Sequence, residues 1–129
     1  MKERIEDQMR VKHSSEVPAE VVKAGDMVAS MQVLISSQEG PHFAMRRFVM
    51  KPGGGMPEHT NTVEHEQYVL RGHANIGIGK EEFEARAGDV VLIPEGVPHW
   101  YQNIGDEDFE FLCLIPNQPD EIKLIEKEC

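Results

Sequence analysis

The sequence predicts an all-β fold, a sandwich or barrel built from short strands. Three observations carry that prediction. Segments rich in Val, Ile, Phe and Tyr recur along the chain. Clusters of Gly, Pro, Asn and Asp cut them at intervals of about 8–12 residues, the rhythm of sandwiches and barrels. Strands do not alternate with helical patterns, as a doubly wound α/β sheet would require. The chain has 129 residues, which makes one domain, because a second core would leave each half too small to bury enough apolar surface.

Residues 1–26 read as an arm. They are charged and lack sustained alternation, and only Ile5 and Met9 share a face of a short helix there. Such an arm frays or packs on a partner. Val21 and Val22, before Ala24-Gly25-Asp26, suggest a short strand ending in a turn, one that a dimer partner is placed to exchange. Residues 27–116 carry the barrel. Strands are expected at 27–35, 42–50, 66–71, 74–78, 82–85, 89–93, 97–103 and 109–115. Turn signals separate them, among them Gly40-Pro41, Pro52-Gly53-Gly54-Gly55, Gly72, Gly79-Lys80, Pro94-Glu95-Gly96 and Gly105-Asp106. In the tail, 117–129, Ile122, Ile125 and Glu126 stand at helical spacing and predict a short amphipathic helix.

Charge narrows the partners. Thirteen Lys and Arg against 23 Asp and Glu give a formal net charge of −10. A nucleic-acid footprint needs a basic face, so that class is excluded. With one Trp and 6% aromatic residues, a stacking platform for single strands is absent too. No apolar run approaches the roughly 20 residues of a membrane span. The first seven residues lack a signal peptide's apolar core. Two cysteines, Cys113 and Cys129, do not make a disulfide framework, so a reducing cytoplasm is expected. A small molecule or a metal remains as the ligand.

Three of the six histidines belong together: His59, His65 and His99. Side chains alternate along a strand, so His59, Asn61, His65 and Gln67 share a face if their segment stays extended. Glu64 and Glu66 then point the other way, as solvent-facing or supporting carboxylates rather than an acid–base pair. Convergent neutral imidazoles make a site for a divalent first-row metal. On spacing alone, a hydrogen-bonded core or surface histidine is the commoner reading for any one of them.

Here the sequence resembles the cupin family. Gly53-x5-His59-x-Asn61-x3-His65-x6-Gly72 is similar to the first cupin motif, G-x5-H-x-H-x3-4-E-x6-G. Gly88-x5-Pro94-x-Gly96-x2-His99-x3-Asn103 matches the second, G-x5-P-x-G-x2-H-x3-N, at every position. The likeness covers residues 27–116. It is strongest to small single-domain cupins with a stretch like Glu64-His65-Glu66 and an end like 111–116, a subgroup that commonly holds manganese on four histidines. It implies a jelly-roll barrel, a double-stranded β-helix, with a metal in its mouth held by His59, His65 and His99. Two departures stand out: His65 replaces the family's usual Glu, and Asn61 replaces the second His. Asn61 then ligates weakly through its oxygen or leaves a position open. A register using Glu66 in place of His65 is disfavoured by the six-residue spacing to Gly72.

The remaining candidates have bland and functional readings side by side. Phe111 and Cys113 alternate with Phe109 and Ile115, so they are barrel core or pocket wall. Arg46 binds an anionic substrate or is a solvated strand arginine. Tyr101 donates to a substrate or packs. His42 sits near a turn, and His13 and His73 read as surface residues. The Gly53-Gly54-Gly55 run is a turn needing positive φ, since no Gly-Lys-Ser/Thr follows to make a phosphate loop. No Ser-His-Asp ordering is evident. The expected function is a metal-dependent, oxygenase-type enzyme acting on a small organic molecule, using Mn, Fe, Ni or Zn. A non-enzymatic ligand-binding or sensing module is the alternative, and a metal-assisted isomerase or epimerase the third reading. A homodimer is expected, because it would cover exposed sheet edges.

Overall fold

The alternation of strand and turn formers produces two antiparallel sheets packed face to face. A computed structural model of the chain describes residues 10–24 and 27–125. The first sheet runs in the order β1 (Glu20–Ala24), β2 (Met27–Ile35), β3 (Phe43–Met50), β10 (Phe109–Pro116), β5 (His65–Arg71) and β8 (Val90–Ile93). The second runs β11 (Lys123–Leu124), β4 (Gly55–Thr60), β9 (His99–Asn103), β6 (His73–Ile78) and β7 (Glu81–Arg86). From β3 to β6, and again from β8 to β11, the chain changes sheet at every step. The late strand β10 returns between β3 and β5. That is a jelly roll. One 3-10 turn, Ser14–Glu16, is the only helical element among the described residues. No described helix is long and apolar enough to cross a membrane.

Period-two patterning decides which faces meet. Along β5, His65, Gln67 and Val69 are buried while Glu66, Tyr68 and Leu70 are exposed. Along β10, Phe109, Phe111 and Cys113 point inward. Phe111 pairs with Phe48 of β3 and Val69 of β5, and Cys113 pairs with Arg46 and Gln67. The antiparallel register thus places apolar side chains at one end of the barrel and polar ones at the other. Phe48, Phe111 and Tyr101 stack in series, with centroids 5.2 and 5.3 Å apart and planes within 16°. Met50, Ile76, Ile93 and Phe109 fill the dry end.

Two glycine turns fix how strands enter the site. Gly54 donates its N–H to Lys51 O at 2.7 Å, and Gly53 has φ +81°. Pro52 then sits at the second position of the turn and Gly53 at the third, the arrangement of type II. Gly72 has φ +92°, and a Cβ there would strike Asp108 O.

Three expectations need correction. The tail forms no helix in its described part: residues 123–124 pair as β11 with β4, and Ile125 N–H donates to Glu58 O at 2.9 Å. An isolated helix of one or two turns is marginal in water, whereas the edge of β4 offers ready partners. The segment 59–67 is not one strand. It breaks at 61–64, and β4 and β5 lie in different sheets. β1 pairs with its own chain's β2, with Ala24 opposite Met27. The strand expected from residue 97 begins at His99, because Val97 N–H is turned back to Pro94 O at 3.3 Å. The helix suggested around Ile5 and Met9 lies outside the described residues.

Candidate metal and ligand site

The polar end of the barrel gathers the candidates from both sheets. His59 comes from β4, His99 from β9 beside it, and His65 from the start of β5 opposite. All three are buried, at 4%, 1% and 5% exposure. The His59 and His99 ring centroids are 4.2 Å apart, and those of His65 and His99 5.7 Å. The two sequence motifs are tied together here: Gly96 N–H donates to Asn61 O at 2.8 Å, linking the turn before His99 to the corner that carries Asn61.

Hydrogen bonds orient two of the rings. His59 Nδ1 lies 2.8 Å from Pro57 O, and His99 Nδ1 lies 3.0 Å from Val97 O. A carbonyl only accepts, so each Nδ1 carries the proton and each Nε2 keeps its lone pair. Burial disfavours the imidazolium form. It is the main reason that His65 and His99 are pushed down to about 4, and it lowers His59 also. The Arg46 guanidinium adds to the effect on His65. The rings are therefore neutral near pH 7, the state a metal ligand requires.

Asn61 is 5% exposed, and its Nδ2 donates to Asp120 Oδ2 at 3.1 Å. Its Oδ1 is buried without a partner, as is His65 Nδ1. Buried polar atoms of this kind normally find partners, so Asn61 Oδ1 and His65 Nδ1 each call for one. Among the described residues, no group of three or more His, Cys, Asp or Glu is placed so as to hold a metal ion as it stands. The rings stand as neighbours round a cavity instead. The donor set of three neutral imidazoles and one amide oxygen suits a divalent first-row metal.

The cavity holds about 160 Å³ and is mostly apolar. His59, Asn61, His65, His99, Arg46, Tyr101, Phe111 and Cys113 all line it. Phe111 and Cys113 are core and pocket wall at once. Arg46 has its Cζ 5.1 Å from the Phe48 ring centroid and its Nη2 3.7 Å from Cys113 Sγ. Gln67 Nε2 donates to the Tyr101 hydroxyl at 2.6 Å. Burial pushes the Tyr101 hydroxyl and the Cys113 thiol up, so both stay protonated at neutral pH. Glu66 is exposed and faces away from the cavity. His13 and His42 are exposed. His73 is half-buried and lies 3.7 Å from the exposed Glu84.

Sequence reasoning missed Gln67 as a lining residue, although its parity with His65 already put it inside. It also missed Met31, Met56 and Phe48. Val22 and Ile122, from the two terminal segments, line the cavity too. No local signal marks Asp120 or Ile122, which reach the site only through the course of the tail.

A jelly roll with imidazoles from both sheets at its polar end is the architecture of the cupins, and the chain belongs to that family. The Cupin domain family matches residues 46–115. The oxalate-binding protein of Thermotoga maritima is 30% identical over 112 residues, covering 81% of this chain and 92% of that protein. Two further curated relatives are matched over only 42% and 40% of their length, the second being the polyketide synthase CurC of Streptomyces cyaneus. Among solved structures, the polyketide cyclase RemF from Streptomyces resistomycificus superposes with a TM-score of 0.81 at 26% identity, over 93% of this chain and 87% of that one. A predicted oxalate decarboxylase from Thermotoga maritima gives 0.74 at 25% identity, over 83% and 98%.

Proposed function

We propose that this cupin holds one divalent first-row metal (Mn, Fe, Ni or Zn) on His59, His65 and His99, with Asn61 as an oxygen donor. We further propose that it carries out oxygenase-type chemistry on a small organic acid. One observation carries the reading: three buried, proton-poor imidazoles and one guanidinium face a single apolar cavity. Such a metal supplies Lewis-acid or one-electron chemistry that the lining side chains lack. The chain's own residues bind, orient and exclude water. His59 and His99 are locked in one tautomer by Pro57 O and Val97 O. Asn61 is a weaker donor than imidazole, which favours entry of a small molecule beside it. Arg46 forms no carboxylate ion pair among the described residues and lines the cavity, so a substrate carboxylate is its fitting partner. Phe48, Phe111 and Met56 keep the space water-poor.

Size supports a small acid. A cavity of about 150 Å³ in another protein admits a single benzene ring, and this one is about 160 Å³. Oxalate, named for the relative and for one structural neighbour, fits that volume far better than a polyketide does. Among the described lining residues there is no carboxylate, so an isomerase or epimerase lacks an evident general base. The binding-module reading is favoured by Asn61 in place of an imidazole and by the oxalate-binding relative. We also propose a homodimer, because Tyr68, Val90 and Leu92 leave apolar groups exposed on the outer face of β5 and β8; light scattering at the monomer mass would remove that proposal.

The test is elemental analysis of purified protein beside a His99→Ala control, followed by oxygen consumption with oxalate and other small acids. Near-stoichiometric metal, lost in the control, together with acid-dependent oxygen uptake supports the proposal. Metal and acid binding without uptake moves the protein to the binding class. No metal after reconstitution with Mn, Fe, Ni or Zn overturns the site.

A further inference from the structure

The tail beyond β10 crosses the mouth of the barrel as a strap and is anchored at one corner. Asp120 Oδ1 accepts from Thr62 N at 2.9 Å and lies 3.2 Å from Thr62 Oγ1. Thr62 Oγ1 also lies 3.2 Å from Pro119 O and accepts from Glu121 N at 2.9 Å. Beyond it, Leu124 pairs with His59 across β11 and β4. Ile122 from the same strap lines the cavity. Its second carboxylate oxygen, Asp120 Oδ2, takes the Asn61 amide nitrogen.

That last contact has a directional consequence. An amide side chain has one donating and one accepting end, and nothing about Asn61 alone says which faces inward. An ionised carboxylate only accepts. Asp120 therefore holds Nδ2, and Oδ1 is left as the buried, unpartnered end. Reversed, the amide would set N–H groups against a cation and an oxygen against a carboxylate.

We propose that Asp120 is the positioning residue of the metal site, holding the Asn61 amide with its oxygen toward the imidazoles so that docking of the C-terminal strap and metal loading assist each other. The proposal rests on His59, Asn61, His65 and His99 being the ligands. Partners that orient a ligand typically change metal affinity by about 10–100-fold when removed. Because binding linkage is reciprocal, the metal in turn stabilises the docked strap.

The experiment uses the full chain and cobalt(II) alone, with affinity from chelator competition and the visible ligand-field spectrum as readouts. Wild type, Asp120→Ala, Asp120→Asn, Asn61→Ala and the Asn61→Ala/Asp120→Ala double variant are compared. Asp120→Asn is nearly isosteric and serves if the alanine variant fails to fold. We expect Asp120→Ala to weaken cobalt at least about tenfold and to take on the spectrum of Asn61→Ala. In the Asn61→Ala background, removing Asp120 should have several-fold less effect, since the group it orients is gone. A wild-type spectrum and affinity in both Asp120 variants overturns the positioning role alone. So does an equal loss in both backgrounds, which would mark a general structural effect. No cobalt bound by wild type overturns this proposal together with the ligand assignment beneath it.

Discussion

Metal-free protein is expected to lose stability steeply as the pH falls from 6.5 towards 4, and the cause is the buried imidazoles. His65 and His99 take an ordinary value of 6.5 when unfolded and about 4 when folded. The unfolded chain thus binds more protons throughout that window. A depressed folded value means the contribution is complete above 6.5 and is lost as the pH drops through the folded value. A difference of 6.5 − 4 units corresponds to roughly 3 kcal/mol for one ring. The two rings are neighbours, so they titrate as a coupled set rather than as independent sites. Uptake of two protons on unfolding gives a slope approaching about 2.7 kcal/mol per pH unit. That is a large share of the roughly 5–15 kcal/mol a domain of this kind possesses. The assay is urea unfolding of chelator-treated protein at steps from pH 7.5 to pH 4.5, beside a His65→Gln/His99→Gln variant. Between pH 6.5 and pH 5 most carboxylates remain ionised, so the histidine slope stands clear of them. The double variant should be clearly shallower in that interval, keeping the contribution of His59. Equal slopes in both proteins, or ring signals that titrate near 6.5 in the folded state by NMR, would refute the reasoning.

Phe111→Ala should cost about 3–5 kcal/mol in urea unfolding, since Phe111 is 1% exposed and stacks between Phe48 and Tyr101; a loss under about 1 kcal/mol would mean the stack adds little beyond what the core recovers by collapse. Gly72→Ala should lose at least about 1–3 kcal/mol, because an alanine there meets both a positive φ and the Asp108 carbonyl. A melting curve unchanged from wild type would show that the turn relaxes freely.

Much of the barrel is legible because its signals are local. Period-two burial along β5 and β10 and the Pro52-Gly53 turn follow from side-chain alternation and from φ preferences, which each short segment carries on its own. His59, His65 and His99 are legible as a set through their place in two spaced motifs. The parity argument that joined His59 to His65 is different: both rings do point inward, but across a corner between two sheets rather than along one strand. Helical spacing in the tail misleads because periodicity reports what a helix would bury, not whether an open sheet edge lies nearby.

The sequence by itself determined the strand-and-turn rhythm, the acidic surface and the histidines on offer, since each depends on residue type and near spacing. Only the tertiary structure decided that His59 stands 4.2 Å from His99, that Arg46 shares their cavity, and that Asp120 accepts from the Asn61 amide. The His59–His99 and Asn61–Asp120 contacts join residues 40 and 59 positions apart. The register that makes them is set by the whole core at once, and no local rule encodes it.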